Sequence, residues 1–179
     1  MKILVISSNL IGDTILSTGV IKFFSKKNPH AKFTFIIGPS AEPIFKNFKS
    51  VEKIIIISKK KYNMHWLQII YNCIGKKWDI IIDFRSSLLS YILNHKKKFI
   101  FKKKSNLNQI QQLSDHFGFN CSELFIETNK EEEETVLKNT SNNFDYFVIF
   151  PGGIWVPKIW DVKNYNELLI RILAQNKNI

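Results

Sequence analysis

The chain alternates short apolar runs with stretches of helical periodicity. Ile3, Leu4, Val5 and Ile6 form the first run, mostly β-branched, as suits a central strand covered on both faces. The same kind of run recurs at Phe33–Ile37, closed by Gly38-Pro39, at Lys53–Ile57 and at Asp79–Phe84. Lys98–Phe101 reads as a fifth strand, whose lysines mark it as an edge. Between these runs the pattern predicts a long helix opening near Asp13, then helices over Ala41–Phe48, Met64–Ile74, Ser86–Leu93 and Leu107–Phe117, the last stopped by Gly118. On the first helix Leu16, Val20, Phe23 and Lys27 form one stripe, flanked by Ile15, Gly19 and Phe24. Such βαβα alternation implies an α/β fold with a Rossmann-like, doubly wound parallel sheet. There is no internal repeat.

The pattern changes after Thr128. Thr128–Asn143 is polar, with Glu131–Glu134 opening a helix and Lys138 near its end, a charge order that suits the helix dipole. We read it as a solvated linker helix and place the domain boundary near Ser141–Asn143, giving one domain over residues 1–142 and the start of another over 143–179. Tyr146–Phe150 is then expected as a new buried strand. A helix with Tyr165, Leu168, Leu169 and Ile172 on one face follows.

Composition narrows the classes. At 179 residues, 45% hydrophobic and 13% aromatic, the chain can build one good core and begin a second. No apolar run is long enough to span a membrane, and Ser7, Ser8, Asn9 and Asp13 interrupt the first stretch too early for a signal peptide. Cys73 and Cys121 are isolated and read as reduced thiols of a cytoplasmic protein. The net charge of +11 points to an anionic partner, with lysine runs at Lys59–Lys61, Lys96–Lys98 and Lys102–Lys104. Each run alone reads as solvated surface. Nucleic acid is not the expected partner, because aromatic RNA-binding motifs, zinc spacings and a helix-turn-helix are missing from the sequence.

The candidate chemistry lies where strands give way to loops. Strand, Gly-containing loop and helix N-terminus form the ligand-facing edge of an open α/β sheet, and Asp13 is the ionised side chain on the first such edge. Asp83, Arg85, Ser86 and Ser87 lie on the edge after the fourth strand. Asp13 also suits a helix N-cap, and Asp83 a cap or a partner for Arg85. Asp79 and Asp83 bracket a buried strand and lie too far apart to share a metal. In PGGIWVPKIW, Gly152 and Gly153 let backbone approach a ligand, and Lys158 brings a mobile positive charge suited to phosphate.

These stretches together resemble glycosyltransferase family 9, the heptosyltransferases of lipopolysaccharide core assembly. ILVISSNLIGDTILSTGVIKFF resembles the family's opening, with Gly12-Asp13 as its Gly-Asp pair. FTFIIGPSAEPIF with VEKIIII, and DIIIDFRSSLLSYIL, resemble its next strands and loops. Pro151, Gly152, Gly153, Trp155, Lys158 and Trp160 resemble its second-domain motif. Many members carry Arg or Lys where Ser7 stands and Pro where Gly19 stands; Gly19 is expected to loosen the first helix by up to about 1 kcal/mol relative to Ala.

The resemblance implies the N-terminal half of a GT-B enzyme. Such an enzyme uses a nucleotide-sugar such as ADP-heptose as co-substrate and inverts the sugar's configuration on transfer. It implies Asp13 as catalytic base; Gly12, Asp83, Arg85 and Ser86 as acceptor contacts; and Gly152, Gly153, Lys158 and Trp160 as donor contacts. No metal or other cofactor is called for, and no Asp-x-Asp is present to hold a metal. The implied partners are the nucleotide-sugar and an anionic glycolipid acceptor, with peripheral contact at the inner membrane face. The family's later Asp-Thr-Gly donor segment is absent, which suits a fragment, a degraded gene product or one part of a split protein. A non-catalytic acceptor-binding remnant, and a basic Rossmann-like protein binding nucleotides or nucleic acid, are the alternative readings.

Overall fold

The strand-forming runs assemble into a five-stranded, all-parallel sheet of order β3-β2-β1-β4-β5. The computed structural model describes residues 1–57, 65–104, 108–140, 146–153 and 156–175, apart from the side chains of residues 65–68 and 158. The strands are β1 (Lys2–Ile6), β2 (Lys32–Ile37), β3 (Val51–Ile56), β4 (Trp78–Asp83) and β5 (His95–Ile100). The helices α1 (Ile11–Lys27), α2 (Glu42–Phe45), α3 (His65–Cys73), α4 (Leu89–Ile92) and α5 (Gln109–Phe117) connect or follow them. The chain first winds outward from β1 to β3, then crosses back to β4 beside β1. That order makes the carboxyl ends of β1 and β4 the switch point of a doubly wound sheet.

Two apolar layers cover the sheet. On one face Val20, Ile21 and Phe24 of α1 pack with Phe33, Phe35, Phe45 and Leu113. On the other, Ile69 and Cys73 of α3 and Leu89 and Leu93 at α4 pack with Leu4, Ile6, Ile36 and Ile81. Burial from both sides explains why these strands read as continuous apolar runs rather than alternating ones. β5 is an edge strand, as its lysines foretell.

Several elements differ from expectation. Helix α1 begins at Ile11, and Leu10 occupies the N-cap position without a capping side chain, so Asp13 is a first-turn residue and not the cap. The buried face of α1 includes Thr14, Ser17, Thr18 and Gly19, while Leu16 and Phe23 are only half-buried. Ser17 and Thr18 donate their hydroxyls to the carbonyls of Thr14 and Ile15, both at 2.7 Å, which lets polar residues sit inside. The helix expected over Ser86–Leu93 is reduced to α4, because the Asp83 carboxylate organises residues 85–87 into a turn. Leu107 and Met64, expected in α5 and α3, lie outside the described residues, as does the run Lys59–Lys61.

Gly19 has a packing role, not a loosening one. A Cβ there would stand 2.0 Å from the carbonyl oxygen of Cys121 and 2.8 Å from its carbon. Backbone cannot yield as a flexible side chain can. Gly19→Ala is therefore expected to destabilise the protein by about 1–3 kcal/mol in urea unfolding, although alanine is the better helix former. A variant as stable as the parent would show that the Cys121 segment does not pack against α1 as described.

By its internal contacts the chain divides into Met1–Asn129, which holds the sheet, and Lys130–Ile179. The boundary expected near Ser141–Asn143 falls outside the described residues. The second unit contains α6 (Lys130–Asn139), a 3-10 turn over Val156–Lys158 and α7 (Val162–Gln175). Tyr146–Phe150 does not form the expected buried strand: Val148 is 68% and Phe150 86% exposed. A parallel strand exists only by pairing with neighbours, and the described part of this unit offers none.

Candidate active site at the sheet switch point

The register brings two loops side by side. Ile6 pairs with Asp83, and the Phe84 amide donates to the Ile6 carbonyl at 2.9 Å. The loop after β1 and the loop after β4 therefore leave the sheet together. The loop after β1 is held from beneath: the Ser7 amide donates to Ile36 at 2.9 Å, and Gly38 passes so close that a Cβ would meet Asn9 at 3.0 Å.

Asp13 projects from the first turn of α1, where the helix dipole favours a negative charge. Its side chain is 28% exposed, so the carboxylate is anchored yet reachable. The Ser8 hydroxyl lies 3.5 Å from its Oδ2, and the Lys103 Nζ lies 3.4 Å from its Oδ1. Gly12 precedes it with open space on its side-chain side.

Asp83 lies beneath this surface, fully buried. Its Oδ1 accepts from the Arg85 amide at 2.8 Å, and its Oδ2 from the Ser87 amide at 2.7 Å and the Ser87 hydroxyl at 2.8 Å. These three bonds satisfy the buried charge and shape the loop. They leave Ser86 at φ +52°, uncommon for a residue with a side chain, and its hydroxyl donates to the Phe101 carbonyl at 2.9 Å. The Phe101 bond ties the β4 loop to the segment that carries Lys103. Arg85 is exposed, with a guanidinium nitrogen 3.5 Å from the Asn9 side-chain oxygen.

The structure thus gathers Gly12, Asp13, Arg85 and Ser86 at one edge, with Asp83 as their support. Ser8, Asn9 and Lys103 join them, though sequence reasoning did not single them out. The available signal for Lys103 was a lysine run placed directly beyond the carboxyl end of β5. Asp79 belongs to the opposite edge, where it accepts from the Lys2 amide at 2.8 Å and pairs with Lys96 at 2.6 Å. The Lys96 ammonium holds its carboxyl below the usual carboxylate range.

The donor-side candidates lie in the second unit. Gly152 and Gly153 are exposed, and among the described residues a Cβ at Gly153 would meet Ile159, at 3.7 Å. Trp160 is 47% exposed and stands edge-on to Tyr165, with ring centroids 5.0 Å apart. It lines a hollow of about 260 Å³ with Asn164, Glu167, Leu168 and Arg171. Lys158 closes the 3-10 turn, but its side chain, like all of Trp155, is outside what the structure describes.

No family model matches the chain, and no curated protein matches it in sequence. Solved structures do match in fold. The E. coli heptosyltransferase WaaC with ADP aligns with a TM-score of 0.66 at 15% identity, over 97% of this chain and 65% of that one. In fold, the chain matches part of a GT-B heptosyltransferase. A glycosyl transferase of family 9 from Veillonella parvula aligns at 0.64 with 16% identity, over 93% of this chain and 58% of that one. E. coli ADP-heptose lps heptosyltransferase II aligns at 0.63 with 15% identity, over 98% and 62%. The chain therefore spans less than two thirds of the length of these proteins.

Proposed function

We propose that the chain is the acceptor-side unit, with the start of the donor unit, of an inverting glycosyltransferase of family 9 type. It would transfer a heptose-like sugar from a nucleotide-sugar to an anionic cell-surface glycan. The observation that carries this reading is Asp13. It is a reachable carboxylate in the first turn of a helix at the sheet's switch point, on a fold shared with heptosyltransferases that include one solved with ADP-2-deoxy-2-fluoro heptose.

In this reading an acceptor hydroxyl attacks the anomeric carbon, the bond to the nucleoside diphosphate breaks, and Asp13 takes the hydroxyl proton. A carboxylate is a weak base at neutral pH. It serves by close placement and by accepting the proton late, once the hydroxyl has acidified through bonding. Lys103 and Arg85 supply positive charge beside that edge and suit an anionic acceptor. Lys158 would answer the negative charge growing on the departing diphosphate, with Gly152 and Gly153 leaving backbone open to it.

A second reading, an acceptor-binding module without its own turnover, draws on the exposed Tyr146–Phe150 run, which forms no strand among the described residues of the donor-side unit. Calorimetry with ADP-heptose and with ADP separates the two. Under the leading reading the chain binds both, and Lys158→Ala weakens binding about tenfold or more, as loss of one charge-assisted phosphate contact should. Failure of the folded chain to bind either nucleotide would remove the donor half of the proposal. Turnover of ADP-heptose is expected from neither, and its detection would show that the donor site is complete.

A further inference from the structure

A second concave site lies at the opposite end of the sheet from Asp13. Helix α1 carries Asp13 in its first turn and Phe23, Phe24 and Lys27 in its last turns, about 16 Å further along its axis. There it faces the C-terminal end of α5 and the β4–β5 side of the sheet across a cavity of about 400 Å³. The walls are mostly rings. Phe23 stacks on Phe119 with centroids 3.5 Å apart, and Phe24 stands edge-on to Phe99, Phe117 and Phe119 at 5.4, 6.4 and 6.1 Å. Phe24 is buried, but Phe23, Phe99, Phe117 and Phe119 are only half-buried. A void against half-covered rings forgoes dispersion contacts that a closed core would make. Its size and aromatic lining are those of a small-molecule site.

The charged groups at this cavity have one sign. Lys27 and Lys97 line it, and no carboxylate does among the described residues. Each ammonium rests on a ring instead: the Lys27 Nζ lies 5.8 Å from the centre of Phe23, and the Lys97 Nζ 4.8 Å from that of Phe99. Nearby lysines differ, since Lys22 and Lys26 share Glu123 and Lys96 pairs with Asp79. Asn28 is spent on closing α1: its side-chain NH2 and its backbone N–H both donate to the Phe24 carbonyl, at 3.0 and 3.1 Å. The lining therefore suits an anionic group carried on an apolar body. Rings in several orientations favour a flat aromatic body over an alkyl chain, because an added ring continues their edge-to-face contacts.

We propose that this cavity binds a small aromatic carboxylate. The ring enters among Phe24, Phe99 and Phe117, and the carboxylate stays at the rim, within reach of the Lys27 and Lys97 ammoniums. Both lysines are exposed, so water screens the ion pairs and the buried ring supplies most of the affinity. Binding here needs neither nucleotide nor sugar, so its measurement stands apart from the transferase reading.

The test is calorimetry of the folded chain with 2-naphthoate, with its neutral counterpart 2-naphthamide and with the aliphatic decanoate, together with amide-shift mapping by NMR. 2-Naphthoate is expected to bind about fivefold tighter than either of the others, with shifts centred on residues 23–28, 97–99 and 117–119. Lys27→Met combined with Lys97→Met should weaken 2-naphthoate about fivefold and leave 2-naphthamide unchanged. The urea midpoint should stay in place, because both side chains are exposed and keep an apolar stem. Four results would overturn the proposal. One is no binding of 2-naphthoate by the folded chain. Another is equal binding of 2-naphthamide or decanoate, which would remove the role of the cations or assign the cavity to acyl chains. A third is unchanged 2-naphthoate binding in the methionine variant. The last is a shift pattern centred on residues 8–13 and Arg85, which would place the anion at the Asp13 edge instead.

Discussion

Asp83→Ala is expected to lower the stability of the sheet-bearing unit by about 3 kcal/mol, read as a shift of the urea midpoint at unchanged slope. The carboxylate is fully buried and accepts three hydrogen bonds, from the Arg85 and Ser87 amides and the Ser87 hydroxyl. Bonds to a charged acceptor are each worth roughly 1.5–3 kcal/mol net, but they are not additive, and removing the carboxylate also removes its desolvation cost. Alanine leaves two amides facing a gap. Asp83→Asn keeps one acceptor oxygen and turns an NH2 toward the donors that Oδ2 served, so its cost should fall between alanine and the parent. A second readout follows from Ser86. Its φ of +52° persists because the Asp83 turn on one side and the Phe101 bond on the other over-determine it. Without Asp83 the loop should relax, and hydrogen exchange at Ser86 to Leu88 should accelerate before any global change. An alanine variant within about 0.5 kcal/mol of the parent, with unchanged exchange, would mean that Asp83 does not organise this loop.

The sheet was legible in the sequence for a physical reason. A parallel strand buried on both faces must be apolar at nearly every position, and Ile3–Ile6, Phe33–Ile37 and Asp79–Phe84 satisfy that without any knowledge of neighbours. Helix α1 was legible as a helix, and its Val20, Phe24 and Gly19 do face the core, but the polar part of its buried face was not legible. Its buried face runs through Thr14, Ser17, Thr18 and Gly19, whose hydroxyls are satisfied by the helix itself and whose small size admits the Cys121 backbone. Hydrophobic periodicity cannot see such a face. The edge bearing Gly12, Asp13, Arg85 and Ser86 was legible because strand ends in an α/β sheet converge at the switch point. Lys103 was not, because its approach to Asp13 depends on a pairing between the β4 loop and the segment after β5 that spans fifteen residues. Tyr146–Phe150 shows the converse. Its apolar pattern is that of a strand, but a strand is a property of a ladder, and the described residues supply no partner for it.

The largest loss of stability is expected from Phe35→Ala, at about 3–5 kcal/mol. Phe35 is fully buried in β2, next to the central strand. Its ring stacks on Phe45 of α2 with centroids 4.1 Å apart, and Phe33 and Phe48 flank it at 6.0 and 6.1 Å. Truncation removes the transfer free energy of a phenyl ring and leaves a cavity between a strand and a short helix. That helix has only one turn of its own and is held largely by Phe45 and Ile44. With a urea slope of about 2 kcal/mol per molar, the midpoint should fall by roughly 2 M. Phe35→Leu separates volume from ring stacking. It keeps most of the apolar contact and should cost less than half as much. The effect should also reach the candidate site. Phe35 lies in the strand that runs into Gly38, which packs on Asn9, and the Asn9 oxygen is the contact that Arg85 reaches. Loosening β2 against α2 is therefore expected to weaken the support beneath the Asp13 loop, seen as faster amide exchange from Ser7 to Gly12 in Phe35→Ala than in Phe35→Leu. Equal exchange in the two variants would show that the loop is held by the β1–β4 register alone. A loss below about 1 kcal/mol would show that the aromatic layer on this face is not the main store of its stability.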